Sequence, residues 1–469
     1  MIRIVIMGGG PAGYEAALVA AQYGADVTVV EAEAPGGACV LHDCVPSKTL
    51  IASSGAAASW RRAADLGIRL DPGQVEVDVP AVRGRVKGLA VTQSADIRAR
   101  LQRDGVHLLT GTARLADESP GRAVHRVVVT SHPGGADEHD LDADVVLIAT
   151  GATPRILPGA RPDGERILTW RQIYDLDELP TDLVVVGSGV TGAEFVSAFT
   201  DVGVRVTLVS SRDRVLPGED ADAAAVLEEV FAERGVVLVK QARADTVERT
   251  ADGVVVHLAD GRTVVGSHAL MTVGSVPNTA DLGLATAGLH TDVGGHVPVD
   301  RVSRTVVPGI YAAGDCTGLL PLASVAAMQG RTAMWHALGE GVTPIRRRTV
   351  SAAVFTNPEI ATVGISQRAI DAGEVAARAV MLPLATNPRA KMQGLRRGFV
   401  KLFCRPVTGV VIGGVVVAPF ASELIVSIAL AVQNNLTVAD LAHTFSVYPA
   451  LSGSITEAGR QLMRHDDLD

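Results

Sequence analysis

Val5-Ile6-Met7-Gly8-Gly9-Gly10-Pro11-Ala12-Gly13 decides the fold, together with the alanine-rich stretch behind it and Asp26-Val27-Thr28-Val29-Val30-Glu31. The unbroken Val/Ile runs suit strands of a parallel sheet buried on both faces. Gly8, Gly10 and Gly13 form a Gly-x-Gly-x-x-Gly turn between strand and helix. Gly8 allows the tight turn, Gly10 lets backbone approach a pyrophosphate, and Gly13 allows close helix–strand packing. Pro11 and Ala12 open the helix, whose free N–H groups face the phosphates. Glu31 stands 18 residues after Gly13, at the end of the next strand. An acid there accepts hydrogen bonds from an adenosine ribose.

The same design recurs. Leu183-Val184-Val185-Val186-Gly187-Ser188-Gly189-Val190-Thr191-Gly192-Ala193-Glu194 precedes a helix and then Val204–Ser210. Two dinucleotide sites in one chain follow, the second built on Gly187, Gly189, Val190 and Gly192. Its strand ends without an acid, at Ser210-Ser211-Arg212, with Arg214 close behind. A carboxylate would repel a 2′-phosphate, whereas serines and arginines bind one, so NADPH is expected over NADH. The competing reading makes Arg212 and Arg214 part of a solvated loop. Further strands end in turns at Val145–Gly151, Ala269–Gly274 and Gly309–Asp315.

A chain of 469 residues is too long for one core and implies several domains. Its composition, 47% hydrophobic and 20% charged, is that of a soluble globular protein. A net charge of −9 argues against a nucleic-acid partner, and 3% aromatic residues leave little for base stacking. No apolar run reaches membrane-spanning length. Val410–Phe420 and Leu424–Val432 read as a buried strand and a buried helix. The chain opens directly on a strand, Ile2–Met7, without a targeting segment. Four cysteines in this length fit a reducing, cytoplasmic setting, where a close pair is catalytic or metal-binding. Asp71–Pro80 and Ser131–His139 read as loops. From about Thr349 the pattern changes to strands followed by two apolar helices, an α+β domain.

Cys39-Val40-Leu41-His42-Asp43-Cys44-Val45-Pro46-Ser47-Lys48 identifies the chemistry. With the two fingerprints, it resembles the redox-active disulfide of the pyridine nucleotide–disulfide oxidoreductases, flavoproteins that include lipoamide dehydrogenase and glutathione reductase. Zinc is disfavoured, since no second Cys/His pair has ligand spacing, and no metal is expected. The resemblance implies an α/β fold with two Rossmann-like domains and a C-terminal α+β dimerisation domain. FAD would bind residues 1–155 and 278–345, NAD(P)H residues 156–277, and the interface would be 346–469. It implies FAD contacts from the first glycine turn, Glu31, Ala38, Cys39, Lys48, Thr150, Gly151, Gly314 and Asp315, and a nicotinamide contact from Gly274. Cys44 would face the flavin and Cys39 the substrate, with Lys48 and Glu194 paired beside the flavin. His42 reads as exposed loop, and Cys316 and Cys404 as buried and inert. A homodimer or a higher oligomer is implied, with Tyr448 of one subunit near Cys39 of the other.

One element departs from the family. Where it keeps a His-Pro-x-x-x-Glu, this chain has Tyr448-Pro449-Ala450-Leu451-Ser452-Gly453. An ordinary tyrosine is ionised in only about one molecule per thousand at pH 7, and a general base is worth roughly 10²–10⁴-fold. His443 and Glu457 lie near in sequence, yet a helix-face or surface role suits both. The expectation is therefore an FAD-dependent NAD(P)H oxidoreductase serving small quinones, which need no thiol base, and turning over lipoamide or glutathione disulfides poorly. Alternatives are a disulfide reductase for another thiol through Cys39–Cys44, a soluble transhydrogenase, and a flavin-bearing interaction protein.

Overall fold

The computed structural model describes residues 1–61, 63–69, 76–116, 124–131 and 138–463. The chain divides into two compact units. Met1–Thr49, Arg83–Arg155 and Gly274–Arg346 make one; Leu50–Val82, Ile156–Val273 and Arg347–Asp469 make the other.

In the first unit the described strands line up as Ile310–Ala312, Val145–Ile148, Arg3–Met7, Asp26–Glu31, His107–Leu115, His125–Ser131 and Glu138–Ala143. The first five are parallel, and the last two extend the sheet antiparallel. Alternate residues of the central strand face opposite cores, as a strand buried on both sides requires. Ile4 and Ile6 pack with Ala16, Ala20, Ala333 and Met334, while Val5 and Met7 pack with Val127, Val129 and Leu289. The helices Pro11–Gln22 and Ala323–Ala337 meet almost backbone to backbone. A Cβ on Gly330 would lie 2.1 Å from the Ala12 carbonyl oxygen.

The second unit contains a parallel sheet ordered Val237–Val239, Arg205–Val209, Asp182–Val186, His268–Met271, Ile167–Thr169. It also contains an antiparallel sheet ordered Ser351–Val354, Glu359–Gly364, Val411–Ala418, Phe399–Cys404, Arg378–Pro383. The helices Ala421–Asn434, Val438–His443 and Gly453–Leu462 bury Ile425, Ile428, Leu441, Ile455 and Leu462 with that sheet. The expected buried strand is Val411–Ala418. The expected buried helix buries only one face, because Val426 and Leu430 are about half exposed.

Two loop expectations need correction. Pro80 lies inside a helix, Val79–Arg103, where proline is tolerated because the first-turn N–H has no intrahelical partner. Ser131 ends one strand, and His139 belongs to the next, Glu138–Ala143. Residues 70–75 and 132–137 lie outside the described residues. No described helix is long and apolar enough to cross a membrane.

Lys401 is the most deeply placed charge in the second unit. Its side chain is 3% exposed, and its Nζ donates to Asp220 at 2.9 and 3.0 Å and to Asp222 at 2.5 Å. Asp220 in turn caps the helix Ala221–Glu233, accepting from the Asp222 and Ala223 N–H groups. Removing the cation leaves a buried carboxylate without its counter-charge. Lys401→Met is expected to destabilise the fold by about 3–5 kcal/mol, read as a lower urea midpoint. Arg397→Met, which removes an exposed partner of Glu229 and Glu233, should leave that midpoint unchanged.

Candidate active site

The two glycine turns are built alike. Gly8 has φ +109°, and a Cβ there would sit 2.3 Å from the Ala149 carbonyl oxygen; Gly187 has φ +115°, and its Cβ would sit 2.3 Å from that of Thr272. At Gly13 and Gly192 a Cβ would lie 1.9 Å from the Gly8 and Gly187 carbonyl oxygens respectively. Gly10 and Gly189, by contrast, have nothing within 4 Å of a Cβ position. Each turn is thus closed where it packs and open where a pyrophosphate would lie. The helices Pro11–Gln22 and Val190–Asp201 start at these open glycines without side-chain caps, which leaves their first N–H groups for an anion. Both turns fit a dinucleotide.

They differ at the ribose end. Glu31 braces the first turn by accepting from Gly9 N at 2.6 Å and from Glu33 N at 2.9 Å. The second turn has a hydroxyl pair instead, Ser188 Oγ to Ser210 Oγ at 2.7 Å. Ser210 also accepts from Arg212 N at 3.0 Å and is buried, so it supports the turn from behind. A cleft of about 550 Å³ opens over this turn, lined by Gly187, Gly189, Ser211, Arg212, Arg243 and Val273 among others. Arg214 is not among its lining residues. Its guanidinium folds back onto the Pro217 carbonyl at 3.2 Å and lines a separate cleft with Arg368 and Asp371. Of the two arginines named from the sequence, Arg212 lines this cleft, together with Arg243, and Arg214 does not. Gly274 belongs to the first unit, has φ +91°, and accepts from Arg155 N at 2.9 Å.

The cysteine segment rests on the first turn. Gly36 N donates to Gly9 O at 2.8 Å, and a Cβ on Gly37 would come within 2.9 Å of Gly10 Cα. The short helix Gly37–Leu41 therefore holds Ala38 and Cys39 beside the turn, and Cys44 starts the helix Cys44–Arg61. Both cysteines are partly buried thiols. A hydrogen bond with Cys44, then burial, pushes the Cys39 thiol far above its ordinary range, and Lys48 pulls it back. Lys48 Nζ donates to Ser47 Oγ at 3.3 Å. His42 is not a free loop residue: its Nε2 meets the Glu33 carboxylate at 2.7 and 2.8 Å. Cys316 and Cys404 are fully buried, and burial pushes the Cys316 thiol up to about 11.

Other first-unit residues named from the sequence are held by local hydrogen bonds. Thr150 Oγ1 donates to Asn278 O at 2.8 Å, while Asn278 returns Nδ2 to Thr150 O at 2.9 Å and N to Gly151 O at 3.0 Å. Gly314 N donates to Gln329 Oε1 at 2.9 Å, and burial raises the Asp315 carboxyl pKa. Asn278 and Gln329 escaped the sequence reading, having no motif of their own.

In the second unit Glu194, Ser197 and Asp201 share one helix face. Glu194 Oε1 accepts from Phe355 N at 2.9 Å, Ser197 Oγ from Asn357 N at 3.0 Å, and Asp201 Oδ2 from Asn357 Nδ2 at 3.0 Å. Glu194 is 4% exposed. Tyr448 is 80% exposed, between exposed Val447 and the cis-bonded Pro449. Gly453 begins the last described helix. His443 is exposed at the end of its own helix, and Glu457 is paired with Arg460 at 2.6 Å and with Gln461.

Sequence comparison matches residues 2–330 to the family described as pyridine nucleotide-disulphide oxidoreductase, and residues 350–459 to its dimerisation domain. A Mycobacterium tuberculosis protein named NAD(P)H dehydrogenase (quinone) is 65% identical over all of this chain and 95% of its own. Dihydrolipoyl dehydrogenase 2 of Haloarcula marismortui is 34% identical over 97% of this chain and 95% of its own. The crystal structure of LpdA from M. tuberculosis superposes with TM-score 0.95 at 64% identity, covering 99% of this chain and 100% of that one. The Escherichia coli flavoprotein disulfide reductase RclA shares the fold, with TM-score 0.85 at 23% identity over 98% and 99% of the two chains.

The duplicated turn separates two losses. Gly192→Ala is expected to retain flavin yet bind NAD(P)H roughly ten- to a hundredfold more weakly, because the new methyl displaces the turn. Flavin content by absorbance and anaerobic bleaching by NAD(P)H check the two halves separately.

Proposed function

Because this chain belongs to the pyridine nucleotide–disulfide oxidoreductases, we propose that it is an NAD(P)H:quinone oxidoreductase acting as a homodimer. The observation that carries this reading is the 448–453 segment. Tyr448 is exposed and Gly453 has no side chain, so no imidazole–carboxylate pair stands where thiol exchange needs one. A quinone needs two electrons and two protons but no thiolate. NAD(P)H supplies a hydride, and solvent supplies the remaining proton. The 65% identical relative's name supports the same acceptor.

FAD, when bound, supplies the two-electron relay between nicotinamide and acceptor. Residues 1–155 and 278–345 would hold it, with Gly8, Gly10, Pro11, Ala12 and Gly13 at its pyrophosphate and Glu31 at its ribose. Ala38, Cys39, Lys48, Thr150, Gly151, Gly314 and Asp315 would line the rest of its path. Residues 156–277 would bind the nicotinamide dinucleotide through Gly187, Gly189, Val190 and Gly192. NADPH is the preferred donor, since no carboxylate stands at the Ser210 position to repel a 2′-phosphate. Lys48 places a cation near the Cys39 thiol and stabilises negative charge there. Glu194 is fixed by the Phe355 N–H. Pairing through residues 346–469 would cover Phe420, Val426, Leu430, Phe445, Val447 and Tyr448, all exposed in the single chain.

The test is NADPH oxidation by the purified holoenzyme with a small benzoquinone, lipoamide and glutathione disulfide offered in parallel. Fast quinone turnover that survives Cys39→Ser, with disulfide turnover lower by roughly 10²-fold or more, is the expected result. Quinone activity lost in Cys39→Ser would mean that electrons leave through the dithiol.

A second reading, a disulfide reductase for another thiol, is favoured by one observation. His42 lies between the two cysteines, and its Nε2 is paired with the carboxylate of Glu33, which precedes them. If that pair serves as the thiol base, His42→Asn should lower disulfide turnover roughly 10²-fold and leave quinone turnover intact. Unchanged disulfide turnover in this variant would remove the second reading.

A further inference from the structure

We propose that Arg243 is the second cation of a 2′-phosphate site and, with Arg212, sets the choice of NADPH over NADH. The inference rests on the reading of residues 156–277 as the nicotinamide dinucleotide site, and it names a residue outside both fingerprints.

Arg212 and Arg243 are the ionisable side chains among the residues lining the cleft over the second glycine turn. Both are exposed. Among the described residues, neither guanidinium has a carboxylate partner. Several other arginines of this unit do have one: Arg205 pairs with Asp182, Arg234 with Asp201, and Arg249 with Asp163 and Glu165. Two uncompensated guanidinium groups at one cleft repel each other and favour an anion between them.

Backbone hydrogen bonds place the two side by side. Gln241 N donates to Arg212 O at 2.9 Å, and Ala242 N donates to Ser210 O at 2.8 Å. These two bonds staple the 210–212 turn to the residues immediately before Arg243. Arg243 is anchored on its other side, where its carbonyl accepts from Ala259 N at 2.9 Å. Gln241, the residue two before Arg243, adopts a left-handed φ of +54°, an unfavourable conformation for a side-chain-bearing residue. The position of Arg243 is thus fixed by the same segment that carries Arg212.

The geometry also explains why the acid is missing. In the first turn the carboxylate of Glu31 bonds Gly9 N. In the second, the Ser188–Ser210 hydroxyl pair supports the turn without negative charge, which leaves room beside it for a phosphate. Ser211 adds a hydroxyl at the cleft wall. A phosphate dianion takes bidentate hydrogen bonds from a guanidinium, and a ribose 2′-hydroxyl cannot.

The test uses the holoenzyme with NADPH and NADH as donors and benzoquinone as acceptor. 2′,5′-ADP and 5′-AMP serve as competing ligands that differ by the 2′-phosphate. Arg243→Gln is expected to raise KM for NADPH and the inhibition constant of 2′,5′-ADP by roughly tenfold or more. KM for NADH and inhibition by 5′-AMP should stay as in the parent. Arg243→Lys should recover part of the loss, and Arg214→Gln should leave both donors unchanged. Equal weakening with NADH and NADPH would overturn the proposal by making Arg243 an adenine contact or a structural residue. No change in Arg243→Gln, while Arg212→Gln loses NADPH selectivity, would overturn it and leave the NADPH reading standing. A parent enzyme indifferent to the 2′-phosphate, unaltered by either variant, would overturn both.

Discussion

The architecture depends on how closely backbone can approach backbone where a strand turns into a helix. At Gly13 and Gly192 a single methyl would fall 1.9 Å from a carbonyl oxygen, well inside any tolerable contact. That proximity seats each helix on its strand and aims the helix N-terminus at open space. Everything chemical in the first unit is referenced to it. The Gly36 N–H hangs the cysteine helix from the Gly9 carbonyl, and the helix Ala323–Ala337 packs against Ala12. One steric rule, applied twice, sets the shape of both glycine turns.

What was readable in the sequence follows from how local each constraint is. The glycine turns, Glu31 at its strand end and the Cys39–Cys44 spacing are satisfied within a few dozen residues, so spacing alone reveals them. The direction of the Arg214 side chain was not legible because a turn at Pro217 returns it to its own loop. Arg243 was invisible because its nearness to Arg212 comes from backbone bonds between two strand ends. The Glu33–His42 contact joins residues nine apart, across the chain reversal that precedes the cysteine helix. Glu194 could be named from its motif, but the Phe355–Asn357 segment that holds it lies 160 residues away or more.

The charge pattern divides the molecule by task. Lys401 with Asp220 and Asp222 is buried and joins a strand of the antiparallel sheet to the cap of a helix on the parallel one. Such a pair gives orientation more than net stability, since both ions lose water to form it. The cleft arginines are the reverse case, solvated and without a counter-charge among the described residues. The cysteines stand between these extremes. They are sheltered enough to hold the Cys39 proton tightly, and they lie beside a cation that opposes that hold.

The helix that begins at Gly189 has a second attachment. Glu194, Ser197 and Asp201 lace one of its faces to Phe355 and Asn357, between two strands of the antiparallel sheet. A rod pinned along its length in this way resists sliding or rolling independently of that sheet. Load applied at its Gly189 end would be carried along the rod to the part of the chain matched to the dimerisation domain. Mechanically, the helix is a strut shared by the second glycine turn and the antiparallel sheet, so stiffness gained at one end would be inherited at the other.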